Sequence, residues 1–108
     1  MTHVERFAPD FANDVIDATL YYDAISAALG NRFRDALRDT LREVRQRPLS
    51  FGFTRQPSRG AMLPKFPYVV IFRVTETSLI YGGCFHSSSD PARWRERMAK
   101  QDGRWPCD

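Results

Sequence analysis

The sequence predicts an α+β fold in which two helices cover one face of a mainly antiparallel sheet, closed by a short C-terminal helix. Three observations carry this. Apolar residues recur at spacings of three and four from Phe11 to Leu29 and again from Phe33 to Val44. After Pro48 the pattern changes period, and Tyr68–Glu76 and Ser78–Ser87 become runs of β-branched and aromatic residues. A polar stretch of hairpin length, Thr75-Glu76-Thr77-Ser78, joins those runs.

In chain order, residues 3–7 are expected to form a short strand with Val4 and Arg6 on one face and His3, Glu5 and Phe7 on the other. Pro9 suits a first helical turn, and Asp10 and Asp14 place negative charge near the positive end of the helix. Phe11, Val15, Ala18, Tyr22, Ile25 and Leu29 then form one apolar stripe. Gly30 is expected to end this helix and Asn31 to cap the next. The second helix is predicted over about 32–47, with Phe33, Leu37, Leu41 and Val44 inward and Pro48 as its stop. So short a connection folds the helices back as an antiparallel hairpin. Ile16, Leu20, Ala36 and Thr40 widen its apolar side, which a sheet must cover.

Phe51–Phe53 and Ala61–Leu63 read as short strands around an exposed turn at 56–60, and Pro64 and Pro67 mark an interrupted or edge position. Strict alternation in the long hairpin puts Tyr68, Val70, Phe72 and Val74 on the core side, with Leu79, Tyr81, Gly83 and Phe85. Arg73 and His86 then share the opposite side, where Gly82 lowers the surface into a shallow groove, unless a bulge at Gly82-Gly83 intervenes. Asp90-Pro91 starts the last helix, with Asp90 as its N-cap and Trp94 and Met98 as its anchors. Residues from Lys100 are expected to fray, with Trp105 docking.

At 108 residues the chain fits one domain, 1–108. It has no apolar run long enough to span a bilayer and no signal-peptide core, so a cytoplasmic protein is expected. Cys84 and Cys107 match no metal-ligand spacing and read as reduced thiols; His3 and His86 lie too far apart in sequence to assist them, and no cofactor is expected. Charge is segregated. Residues 1–28 carry net −4, residues 29–59 net +5 from eight arginines and three acids, and the remainder +2. Arginine suits bidentate contact with carboxylate or phosphate, although Arg38, Arg42 and Arg45 read as a solvated helix face.

There is no phosphate-binding glycine loop, no paired histidines at helical spacing and no nucleophile elbow. Metal-free RNA cleavage requires a base, a cationic clamp and an acid. His86 is the candidate base or acid, Arg73 the clamp, and Tyr81 or Tyr68 an auxiliary donor. Lys65, Arg73, His86, Arg93 and Arg97, together with Arg95, form a candidate basic rim for phosphate or for an acidic protein segment, the second being preferred.

Tyr21-Tyr22, Leu29-Gly30, Phe33, Pro48, Phe66-Pro67-Tyr68, His86, Asp90-Pro91 and Trp94, in this order and spacing over about residues 3–98, resemble the ParE/RelE toxin family. The resemblance implies a RelE-like fold, β-α-α followed by three or four strands. It implies the toxin of a type II toxin–antitoxin module of plasmid-stabilisation type, neutralised by a cognate antitoxin whose tail folds onto it, burying ~1,000–3,000 Å². The ParE-like branch inhibits DNA gyrase without catalysis, and the RelE-like branch cuts mRNA on the ribosome. Ser87-Ser88-Ser89 stands where many relatives carry arginines, and no obvious tyrosine follows Asp90-Pro91, which places the chain nearer ParE. The alternatives are a metal-independent ribosome-dependent endoribonuclease and an inactive relative working only through its antitoxin. The partner is expected on the sheet face that the helices leave bare.

Overall fold

The computed structural model describes residues 3–90, 92, 93, 96 and 97. Its elements run β1 (Val4–Phe7), α1 (Pro9–Ile25), α2 (Ala27–Gln46), a 3-10 turn (Pro48–Ser50), β2 (Phe53–Arg55), β3 (Ser58–Met62), β4 (Tyr68–Val74) and β5 (Ser78–His86). The fold is α+β, with two helices packed on a five-stranded mixed sheet. Strand order is β1-β5-β4-β3-β2, parallel at β1/β5 and antiparallel elsewhere. No helix among the described residues is long and apolar enough to cross a membrane.

The helices divide at Ser26, not at Gly30. Ser26 is extended, at φ −165° and ψ 152°; its N–H closes α1 on the Tyr22 carbonyl and its Oγ accepts from Leu29 N–H at 3.0 Å, capping α2. Gly30 therefore lies inside the first turns of α2. Its role is close approach, because a Cβ there would collide with the Asp23 carboxylate. Asn31 caps nothing, and instead its Oδ1 accepts from Arg34 at 3.2 Å. Ala36 and Thr40 are buried, as the apolar stripe of α2 requires, whereas Ile16 and Leu20 on α1 stay exposed. Pro48 ends α2 and opens the 3-10 turn. The turn between β2 and β3 is only Gln56-Pro57, so Ser58–Gly60 belong to the strand.

The core between hairpin and sheet holds Phe11, Ala18, Tyr22, Phe33, Leu37, Val44, Val70, Phe72, Leu79, Tyr81 and Cys84. Tyr68 and Val74 pack against it, so β4 presents the face its alternation predicts. β5 does not. Ile71 pairs with Gly83 but Phe72 with Tyr81, leaving Gly82 as an extra residue, a β-bulge. An inserted residue reverses the sidedness of everything after it. Cys84 therefore turns toward the helices, Phe85 joins Val69 and Ile71 on the far side, and His86 lies opposite Tyr68 on the helix side. Arg73 and His86 thus occupy opposite faces of the sheet, and the shared groove expected from alternation does not form.

The far face is not bare either. Val69, Ile71, Ile80 and Phe85 are 4%, 1%, 5% and 9% exposed. Ala92, Arg93, Glu96 and Arg97 are helical, and Asp90 Oδ1 accepts from Ala92 N–H at 2.9 Å, as an N-cap would. Trp94, Arg95, Met98, Lys100, Trp105 and Cys107 lie outside the described residues.

Candidate functional site

The helix-side end of β4 and β5 gathers an aromatic group. Tyr22 from α1 and Phe33 from α2 stack at 5.2 Å, and Phe66 and Tyr68 meet both edge-on at 4.9–6.1 Å. His86 abuts Tyr68 edge-on at 5.2 Å. Helical spacing brings Tyr22 here, and the bulge brings His86. Phe66 arrives on the loop between β3 and β4, held by Tyr68 N–H to the Phe66 carbonyl (2.8 Å) and Ser87 N–H to the Pro67 carbonyl (2.7 Å). In that loop Lys65 has φ 65°, a left-handed backbone that few non-glycine residues adopt.

The electrostatics favour neutral donors. Burial, and then the neighbouring Tyr21, push the Tyr22 phenol above its ordinary range; burial and then Tyr22, Cys84 and Tyr21 do the same to Tyr68. Both remain O–H groups at neutral pH. His86 Nδ1 accepts from Ser88 N–H at 3.1 Å and lies 2.6 Å from Ser88 Oγ. A backbone N–H can only donate, so the neutral imidazole carries its proton on Nε2. Its Nε2 then carries an N–H, the arrangement of a hydrogen-bond donor and not of a base.

The other candidates disperse. Arg73 is half-buried on the far face, its Nε donating to Ser58 Oγ at 3.3 Å. Arg97 makes a two-pronged contact with Asp14 at 2.7 and 3.1 Å and lies 4.7 Å from the Phe85 ring centroid; hydrogen bonding to Asp14 raises its pKa further. It clamps the chain to α1. Lys65 and Arg93 are exposed. Tyr81 points into the core and donates to Glu5 Oε2 at 2.9 Å, which Arg45 also reaches at 3.4 Å. Arg73 and His86, on opposite faces of the sheet, do not belong to one rim, and Arg97 is engaged by Asp14.

The arginines of α2 are mostly engaged by acids of this chain. Arg34 pairs with Asp23, Arg38 with Asp35 and Asp39, Arg42 with Asp39, Arg45 with Glu5 and Arg47 with Glu43. This is a solvated helix face. Among the described residues no three His, Cys, Asp or Glu side chains gather as a cation site. Cys84 is buried, and burial, with Asp14 second, pushes its thiol up to about 12, far from the reactive thiolate form.

Sequence reasoning named His86 and Tyr68 together, which are in contact, but missed Tyr22 beside Tyr68 and the Glu5–Tyr81–Arg45 network. Both tyrosines of the grouping sit on stripes that read as core, and His86 joins them only through the Gly82 bulge. The Gly82-Gly83 pair was the available signal. No family model matches the chain, and no curated protein matches it.

Proposed function

We propose that this chain is the toxin of a type II toxin–antitoxin pair of ParE/RelE type, working in the cytoplasm, neutralised by a partner protein and acting on its target by binding. DNA gyrase is the target this reading favours. The observation that carries it is the element order, a strand, a one-residue helical hairpin and an antiparallel set of strands covered by that hairpin, which accords with the resemblance of residues 3–98 to the family. Exposed apolar side chains on α1 support a partner-binding role. Ile16 and Leu20, and Tyr21 and Ile25, form two i,i+4 pairs that are 54–62% exposed.

Binding is favoured over RNA cleavage because Arg73 and His86 lie on opposite faces of the sheet and cannot act on one phosphate. One contact favours the second reading, an endoribonuclease: Tyr68 and His86, two of the polar groups that such a reaction would use, are neighbours.

The test is induced expression, alone and with the adjacent gene, scoring growth, cell length and translation rate. Filamentation with continuing translation, relieved by a co-purifying product of the adjacent gene, is the expected result. A chain that is harmless when expressed alone and binds no such product overturns the reading. Rapid translational arrest that His86→Ala abolishes assigns the chain to the ribonuclease branch.

A further inference from the structure

The free polar atoms at the aromatic end are of one kind. Arg6 Nε is the buried side-chain polar atom without a partner among the described residues. Among the described residues the Tyr22 and Tyr68 hydroxyls and His86 Nε2 have no hydrogen-bond partner, and none of the three is a fully buried unpartnered atom. Phenol O–H and imidazole N–H are donors, and Ser88 fixes the imidazole in that role. The carboxylates close in sequence are occupied: Asp23 by Arg34 at 2.5 and 3.1 Å, and Asp90 by the Ala92 amide. Lys65, on the loop that carries Phe66, has no ion-pair partner among the described residues.

A set of unpartnered donors, with the neighbouring acids already satisfied, complements a group that only accepts. Carboxylate and phosphate both qualify. Two features favour carboxylate. Tracking a nucleic-acid backbone takes several cations, and here most arginines of α2 are spent on this chain's acids. The rings also pack against one another, with Phe33 wholly buried, and so offer little open face on which bases could stack.

We propose that Tyr22, Tyr68 and His86 form a subsite that receives a carboxylate from an acidic segment of a partner protein, with Ser88 as the positioning residue that holds His86 as a donor. The subsite gives the partner of the toxin reading a chemistry, and rests on that reading for the partner's existence.

The test is NMR titration of the 15N-labelled chain with a blocked peptide of alternating glutamate and leucine, with its glutamine counterpart, and with inorganic phosphate. In the free protein the neutral His86 ring shows a protonated Nε2 and an unprotonated Nδ1. The glutamate peptide shifts the His86 Nε2 and Tyr68 ring signals and binds about tenfold tighter than the glutamine peptide. Tyr22→Phe and Tyr68→Phe, which keep the rings and hence the packing, each weaken it about three- to tenfold. A proton found on Nδ1, equal binding of the two peptides, or unchanged affinity in both phenylalanine variants overturns the proposal. So does phosphate moving the same signals at lower concentration than the peptide. The two readings fail separately. If the glutamate peptide titrates the site while no adjacent-gene product co-purifies, the toxin reading falls and the subsite stands. If that product co-purifies but the peptide leaves His86 unmoved, the subsite falls and the toxin reading stands.

Discussion

Cys84 shows how one residue's surroundings become a property of the whole fold. Its thiol is enclosed between hairpin and sheet beside Asp14, which accepts from the Cys84 backbone N–H at 3.0 Å. Burial raises its pKa above the unfolded value, so the fold prefers the protonated form. The contribution is complete below the unfolded thiol pKa of ~8.5. It is lost as pH climbs from there toward about 12. We expect a stability loss of about 2 kcal/mol between pH ~8 and pH ~10, read from urea midpoints, and a clearly shallower loss in Cys84→Ala. Tyr81, raised in the same direction by burial and by its bond to Glu5, adds a further decline above pH ~10 in both proteins. A wild-type profile parallel to that of Cys84→Ala would contradict this account.

Elements were legible in the sequence where periodicity alone decides them, and illegible where a single residue changes its use. The stripe from Phe11 to Tyr22, the inward set Phe33, Leu37 and Val44, and the core face of β4 all follow from spacing, and burial drives each of them. Gly30 misleads because glycine serves two purposes, closing a helix or admitting a neighbour, and spacing does not separate them. Ser26 could have decided the matter, since a serine before Ala-Ala-Leu is a competent cap. Gly82 misleads further. One unpaired residue reverses the sidedness of Cys84 to His86 and with it the composition of the candidate site. The role of Gly30 is testable. Alanine gains about 1 kcal/mol in helix propensity, but its methyl meets the Asp23 carboxylate that holds Arg34. We expect Gly30→Ala to cost about 1–2 kcal/mol net in chemical denaturation, partly recovered in an Asp23→Ala background. A stabilised Gly30→Ala would show that the helices have room to part.

Across the whole molecule, the sheet joins the two extremes of the described chain. β1 lies parallel beside β5, pairing Val4 with Ser78 through Phe7 with Tyr81, and Phe7 stacks on Tyr81 at 4.9 Å. Ala8 N–H donates to the Tyr81 carbonyl at 2.9 Å, and the Glu5 carboxylate accepts the Tyr81 hydroxyl. Removing residues 1–7 uncovers Tyr81 and Phe11 together and strips β5 of a ladder of backbone bonds. We expect such a truncation to abolish cooperative unfolding by circular dichroism, whereas removing the exposed α2 pair with Arg38→Ala moves the midpoint by less than ~1 kcal/mol. A truncated chain that still melts sharply would place β1 outside the cooperative unit.

The pairing of β1 with β5 also sets an order in time. The partner of β1 is encoded more than seventy positions after it, so β1 stays without that neighbour until translation has passed His86. Until then Phe7 and Phe11 have no Tyr81 to lie against, and the nascent polypeptide is an unfinished object whatever its helices have done. Closure of so distant a contact is slow for reasons of chain entropy, and it completes the sheet in a single late step.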